Sequence, residues 1–265
     1  MKYLYLTLLI TLSSCANNSK EWKQTGTIDL GEVTPIGLTM QDGKLWIADG
    51  DHNQVVEINL EGEVQQTIDG FERPMHLDSE GGVLYIPEYG SDNIIKFQNG
   101  VKSILEIPDS LDAPAGVDVY QKEIAIADFY NHRIVFFNGN DWISFGKEGK
   151  APGEFYYPTD ISIGSDKIFI ADAYNNRIQV FDKKGNHLKV IGEAEKMNAA
   201  TGIYSTEKEI FITDFENNRV LTYNHDGELQ QIITDGIDKP TDVLMEEGIL
   251  YIANYKGKNI IKMKK

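Results

Sequence analysis

A unit of about 40 residues is written six times along this chain, a period that belongs to propellers and solenoids. Pro35-Ile36-Gly37, Pro74-Met75-His76, Pro114-Ala115-Gly116, Pro158-Thr159-Asp160, Ala200-Thr201-Gly202 and Pro240-Thr241-Asp242 open the copies, spaced by 39, 40, 44, 42 and 40 residues. Each copy then carries an apolar strand ending in an acid or amide: Trp46 to Asp49, Tyr85 to Glu88, Ile126 to Asp128, Ile170 to Asp172, Ile212 to Asp214 and Ile252 to Asn254. A chain so built must stack like units around or along one continuous core.

Repeat four shows what the unit is. Asp160–Ile163, Lys167–Ile170, Arg177–Phe181 and His187–Ile191 alternate apolar and polar residues and are separated by Gly-Ser-Asp and Lys-Lys-Gly-Asn turns. That pattern predicts four short antiparallel strands, the blade of a β-propeller. The sixth repeat stops one strand short, while Gln24–Leu30 precedes the first repeat without a partner. If that N-terminal strand completes the last blade, no sheet edge is left open. The expected fold is therefore all-β: one domain, 23–265, of six four-stranded antiparallel blades.

The turn between the second and third strands carries a specific motif. Asp128-Phe129-Tyr130-Asn131-His132-Arg133-Ile134, Asp172-Ala173-Tyr174-Asn175-Asn176-Arg177-Ile178 and Asp214-Phe215-Glu216-Asn217-Asn218-Arg219-Val220 resemble the NHL repeat. The glycine-spaced connector from Phe145 to Phe155 resembles that family as well. The resemblance implies a propeller. It implies no one activity, because such propellers serve as scaffolds, receptors, sensors and a few enzymes.

The N-terminus reads as an export signal. Lys2, the apolar run Leu4–Leu12 and Leu12-Ser13-Ser14-Cys15 resemble a bacterial lipoprotein signal, in a run too short to span a bilayer. The expected organisation is a signal peptide over 1–14, a lipidated tether over 15–22 with Cys15 as the acylated residue, then the propeller. Cys15 is the one cysteine, so no disulfide can form within the chain. Ala16 after it points to an outer-membrane anchor facing the periplasm. With Lys2 removed, 24 basic residues face 41 acidic ones, a net charge of −17, which makes nucleic acid an unfavourable partner.

Repetition also separates scaffold from site. Asp128 with Arg133, Asp172 with Arg177 and Asp214 with Arg219 sit at one spacing, and the last repeat replaces both members (Asn254, Asn259). The paired change points to a structural ion pair across the turn. The residues that vary are candidates for function. The topology places His76, Asp160 and Asp242 at the mouth of the central channel, with Tyr89, Tyr130, Tyr174 and Tyr255 in a wider circle on the same face. Polar and aromatic groups around a concave mouth suit a peptide, glycan or small molecule.

Metal chemistry has limited material. Resemblance to the zinc-dependent amidating lyase would require three histidines, and only His52, His76 and His132 can reach that face; His187 and His225 lie at hairpins on the other. An axial calcium on Asp160 and Asp242 would be similar to the six-bladed lactonases. The Asp49-Gly50-Asp51-His52-Asn53 segment resembles only the start of a calcium loop. No nucleophile elbow or phosphate loop is present. The expectation is a lipid-anchored, monomeric envelope propeller, without a cofactor or with calcium, that recognises an envelope protein, peptide or glycan. The alternative is a calcium- or zinc-dependent lyase or lactonase at the same mouth.

Overall fold

The computed structural model describes residues 21–265, so the signal sequence and Cys15 lie outside the described residues. Six four-stranded antiparallel sheets form a ring. Blade 4, for example, runs through Pro158–Ile163, Lys167–Asp172, Arg177–Asp182 and His187–Ile191 from the axis outward. Its first three strands are almost wholly buried because both faces of each sheet pack on neighbouring blades. Ala125, Ala127, Ile134 and Phe136 of blade 3 meet Phe155, Ile161, Ile168, Ile170 and Phe181 around blade 4 in one cluster. The outermost strands alternate far less; Val64–Asp69 of blade 1 is exposed along nearly its whole length.

The ring closes through the termini. Lys23–Asp29 pairs with Asn259–Lys264, with Thr27 opposite Ile261, and so supplies the outer strand of blade 6. Trp22 is buried edge-on against Phe211, their centroids 5.5 Å apart. The Gln231 side chain accepts from the Trp22 N–H and donates to its carbonyl. The first strand is therefore held by blade 5 as well as by its own sheet.

The repeated acid does two jobs. Arg133, Arg177 and Arg219 donate through Nε to Asp128, Asp172 and Asp214 at 2.6–2.8 Å. The other oxygen accepts a backbone N–H from the connector arriving from the previous blade: Asp112 to Asp128, Tyr156 to Asp172, Asn198 to Asp214. Glu88 and Asn254 take the same bond from Glu72 and Asp238. Asn254 in turn donates to Asn259 Oδ1, an amide pair standing where the others have an ion pair. In blade 1, His52 and Gln54 satisfy Asp49 instead.

A second clasp lies in the same turn. Asn53, Asp92, His132, Asn176 and Asn218 all have positive φ, which short polar residues tolerate better than most. Each accepts an N–H from the next connector, at Arg73, Ala113, Tyr157, Ala199 and Lys239 respectively. His132 is thus a structural acceptor through Nδ1.

Arg177 is buried and also ties the carbonyls of Lys150, Ala151 and Glu154. Arg177→Ala should leave Asp172 buried without its cation and lower stability by about 3 kcal/mol. Arg133, more exposed, should cost about 1 kcal/mol on the same change. Denaturant midpoints compared under one set of conditions check the difference, and equal midpoints would contradict it.

Candidate functional site

One position at the entry of each inner strand faces the axis, and the six alternate: Gly37, His76, Gly116, Asp160, Gly202, Asp242. The alternation is steric. A Cβ on Gly37 would lie 2.6 Å from the Met75 carbonyl and 2.7 Å from His76 Cα. On Gly116 it would meet the Thr159 carbonyl at 2.6 Å, and on Gly202 the Thr241 carbonyl at 2.4 Å. Odd blades therefore press their backbone onto even blades, and only three side chains reach the axis. Register shifts between Pro158 and Asp160 and between Pro240 and Asp242 mark bulges, a common device for re-aiming a side chain.

Blade 2 reaches the same end differently. Its second strand has Pro87 where the others have alanine or threonine, and the Pro87 carbonyl points at the inner strand, accepting from Met75. In an antiparallel strand the N–H would point the same way, and proline has none. His76 therefore leaves its own sheet: its N–H donates to the Ala115 carbonyl and its carbonyl accepts from Val117, both in blade 3.

The result is a buried triad. His76, Asp160 and Asp242 are only 4–5% exposed. His76 Nδ1 lies 3.5 Å from Asp242 Oδ2 and 3.8 Å from Asp160 Oδ2, and has no hydrogen-bond partner among the described residues. Both carboxylates are pinned from outside: Asp160 Oδ2 accepts from Ile203 N–H at 2.8 Å, Asp242 Oδ2 from Leu38 N–H at 2.7 Å. Burial opposes charge on His76, but Asp160 and Asp242 outweigh it and raise its pKa to about 9. Burial raises Asp160 to about 7 against the pull of His76. Each group's charge thus depends on the others.

The triad is closed toward the tyrosine face. Thr159 donates to the Ala200 and Thr201 carbonyls, Thr201 to Pro240 and Thr241 to Pro35, lacing the entries of blades 4, 5, 6 and 1 together. Asp160 and Asp242 instead line a cavity of about 430 Å³ that follows the inner strands to the opposite hairpins at Ser165 and Glu207. Below the triad stand Asp78 and Asp118, and burial raises both carboxyls. Asp78 accepts from Thr39 and Val119 N–H. Tyr204, Ser162 and Ser205 complete this polar wall, and Glu80 and Glu246 stand along its lining.

The turn tyrosines lie elsewhere. Tyr89, Tyr130 and Tyr174 meet on the other end of the ring with Phe129, Tyr156, Tyr157 and His132. Tyr89 donates to Tyr130 at 2.7 Å, and Arg73 lies over the Tyr89 ring. Tyr130 is 48% and Tyr174 61% exposed. Tyr255 stands apart, donating to Asp51 and edge-on to Phe215. Sequence reasoning placed triad and tyrosines around one mouth; the plug of inner-strand entries divides them into a buried site and a surface patch. Asp78 and Asp118 escaped that reasoning, although both lie two residues past an axial position and so on the same face of the strand. Tyr156 and Tyr157 escaped it because connectors carry no periodic signal.

Comparison with known proteins is informative about the fold. A model of the NHL repeat matches residues 155–181. The match falls on blade 4. A search of curated proteins gave no match. Among solved structures, virginiamycin B lyase from Staphylococcus aureus is similar at a TM-score of 0.68 and 16% identity, over 92% of this chain and 100% of that one. A gluconolactonase from Xanthomonas campestris is similar at a TM-score of 0.74 and 12% identity, over 90% of this chain and 89% of that one. The WD40 propeller domain of Doa1 scores 0.67 at 12% identity, over 92% of this chain and 97% of that one. Identities this low speak for the shared propeller alone.

Gly116→Ala should force apart blade 4 and blade 3, because backbone atoms cannot retreat as a flexible side chain can. A loss of about 1–3 kcal/mol is expected, measured by thermal or urea unfolding; an unchanged transition would refute the steric account of the axis.

Proposed function

We propose that this protein is a binding module of the bacterial envelope, tethered by lipid on Cys15, whose recognition surface is the aromatic patch of blades 2–4 and whose partner is a neutral glycan. The observation that carries the reading is the contiguity of Tyr89, Phe129, Tyr130, Tyr157 and Tyr174, with two rings about half exposed. Large exposed aromatic patches on a rigid scaffold mark interaction sites. Tyrosine offers a flat apolar face with a polar tip at little entropic cost. A sugar ring matches both, stacking its C–H face on the ring and meeting the phenol with its hydroxyls. A net charge of −16 disfavours anionic polymers but does not repel a neutral one. The patch sits on turns held at both ends by the acid and αL clasps, so it is preorganised.

Binding of neutral oligosaccharides to the purified protein, followed by calorimetry, tests this. Tyr130→Ala with Tyr174→Ala should weaken binding by at least about tenfold, two rings at roughly 1 kcal/mol each, with the melting temperature unchanged. Undiminished affinity, or capture of basic peptides but no sugar, would overturn it.

The cavity favours a second reading. Ionisable groups with shifted pKa values around an enclosed space are the usual material of catalysis, and the propellers similar in structure include a lyase and a gluconolactonase. In this reading the lumen is the reaction chamber of a metal-dependent lyase or lactonase, with His76, Asp160 and Asp242 around the ion. Calcium fits poorly here: it takes six to eight oxygens, whereas one of three donors is imidazole. The Thr201 and Thr241 carbonyls nearby already accept threonine hydroxyls. Turnover of gluconolactone or virginiamycin B, abolished in His76→Ala, would support catalysis; no turnover of either class by the intact protein would count against it.

A further inference from the structure

We infer that the axial triad is a site for a single divalent transition metal of the zinc class, held by His76 Nδ1, Asp160 and Asp242 and open to the lumen. This goes beyond recognition at the aromatic face and does not depend on it. It shares residues with the catalytic reading but requires no turnover.

Three observations converge. First, His76 Nδ1 is buried, has no hydrogen-bond partner among the described residues, and faces two carboxylates. An orphaned buried donor or acceptor is destabilising, so its retention at the centre of the ring asks for a partner. Second, the spacing suits ligands better than hydrogen bonds. Nδ1–Oδ2 separations of 3.5 and 3.8 Å exceed the usual 2.7–3.2 Å for N–H···O. Two ligands at the ordinary zinc distance in a tetrahedral arrangement lie about 3.4 Å apart. Third, the donors are oriented from outside. Ile203 and Leu38 N–H groups fix the two carboxylates, and the Ala115 and Val117 backbone fixes His76. Outer partners of this kind are what hold metal ligands ready.

The donor set selects the ion. Imidazole with two carboxylates suits zinc, cobalt, iron or nickel better than calcium or magnesium. On binding, the His76 imidazole gives up its proton, and the two aspartates then balance a dication. The threonine lacing closes the tyrosine side, so entry and any remaining coordination position are on the lumen side, where Asp160 and Asp242 line the cavity. Three protein ligands with an open position toward a cavity is the arrangement of a reactive rather than a purely structural site.

The test uses full-length protein stripped with chelator and titrated with cobalt(II), which reports its own coordination by visible absorption. One equivalent should bind with the intense bands of a four- or five-coordinate site. Zinc should displace it, and a hundredfold excess of calcium should not. Asp160→Asn and His76→Ala should each weaken binding by more than about a hundredfold, while His52→Ala and His132→Asn, on the other face, should not. Far-ultraviolet circular dichroism checks that each variant folds. The wild-type spectrum needs no variant at all. No stoichiometric band, a band that survives in both triad variants, or equal competition by calcium would overturn the proposal. So would nitrogen NMR showing His76 still an imidazolium in the presence of one equivalent of zinc. Sugar binding at the aromatic patch is unaffected by any of these results, so the two readings fail separately.

Discussion

At the axis of this ring six strands converge so closely that only alternate blades have room for a side chain. Gly37, Gly116 and Gly202 bring backbone against backbone, and His76, Asp160 and Asp242 fill what is left. The make-up of the channel follows from that crowding. It gathers three titratable groups from blades 2, 4 and 6, excludes water from one side of them, and leaves their other side facing an acidic lumen. The same crowding forces backbone N–H groups of Leu38 and Ile203 to find acceptors, and the axial carboxylates supply them. Structure and site are thus one set of bonds.

Further out, the ring is held by the acid at the end of each second strand. In blades 2–5 it bonds its own turn with one oxygen and the incoming connector with the other, fastening each of these blades to the one before it. A buried ion pair alone contributes little net stability, since desolvation offsets attraction. Here the buried carboxylate also satisfies backbone donors that would otherwise be orphaned. This explains why Asn254 can take the role without any charge: the hydrogen bonds survive, and Asn259 completes them. Rigid turns of this kind are a suitable base for the aromatic patch, which borrows its rings from turns and connectors of three blades.

Blade 2 departs from the common plan, and the departure has a local cause. Pro87 removes one N–H from the second strand, His76 loses its place in that ladder, and its backbone pairs with blade 3 instead. A single proline thereby places the one imidazole of the axis. Breaks in an otherwise kept pattern are where function tends to be found, and both unusual residues of this blade serve the same site.

The repeat period, the strand count per repeat, ring closure by the first strand and the pairing of Asp172 with Arg177 were all legible in the chain, because each is a matter of alternation or of constant spacing along it. The alternation of glycine with larger residues at the axis was also written there, but its meaning was not. Spacing cannot say that Gly116 lies against Asp160 or that His76 comes within 4 Å of two aspartates from other blades; closure of the ring decides that. The division between triad and tyrosines likewise needed the tertiary structure, because the threonine lacing that separates them joins residues about 40 or more than 200 positions apart. Local sequence thus determined what each blade is. Only the closed ring decided which side chains share a site, since distances across an axis depend on how all six blades pack at once.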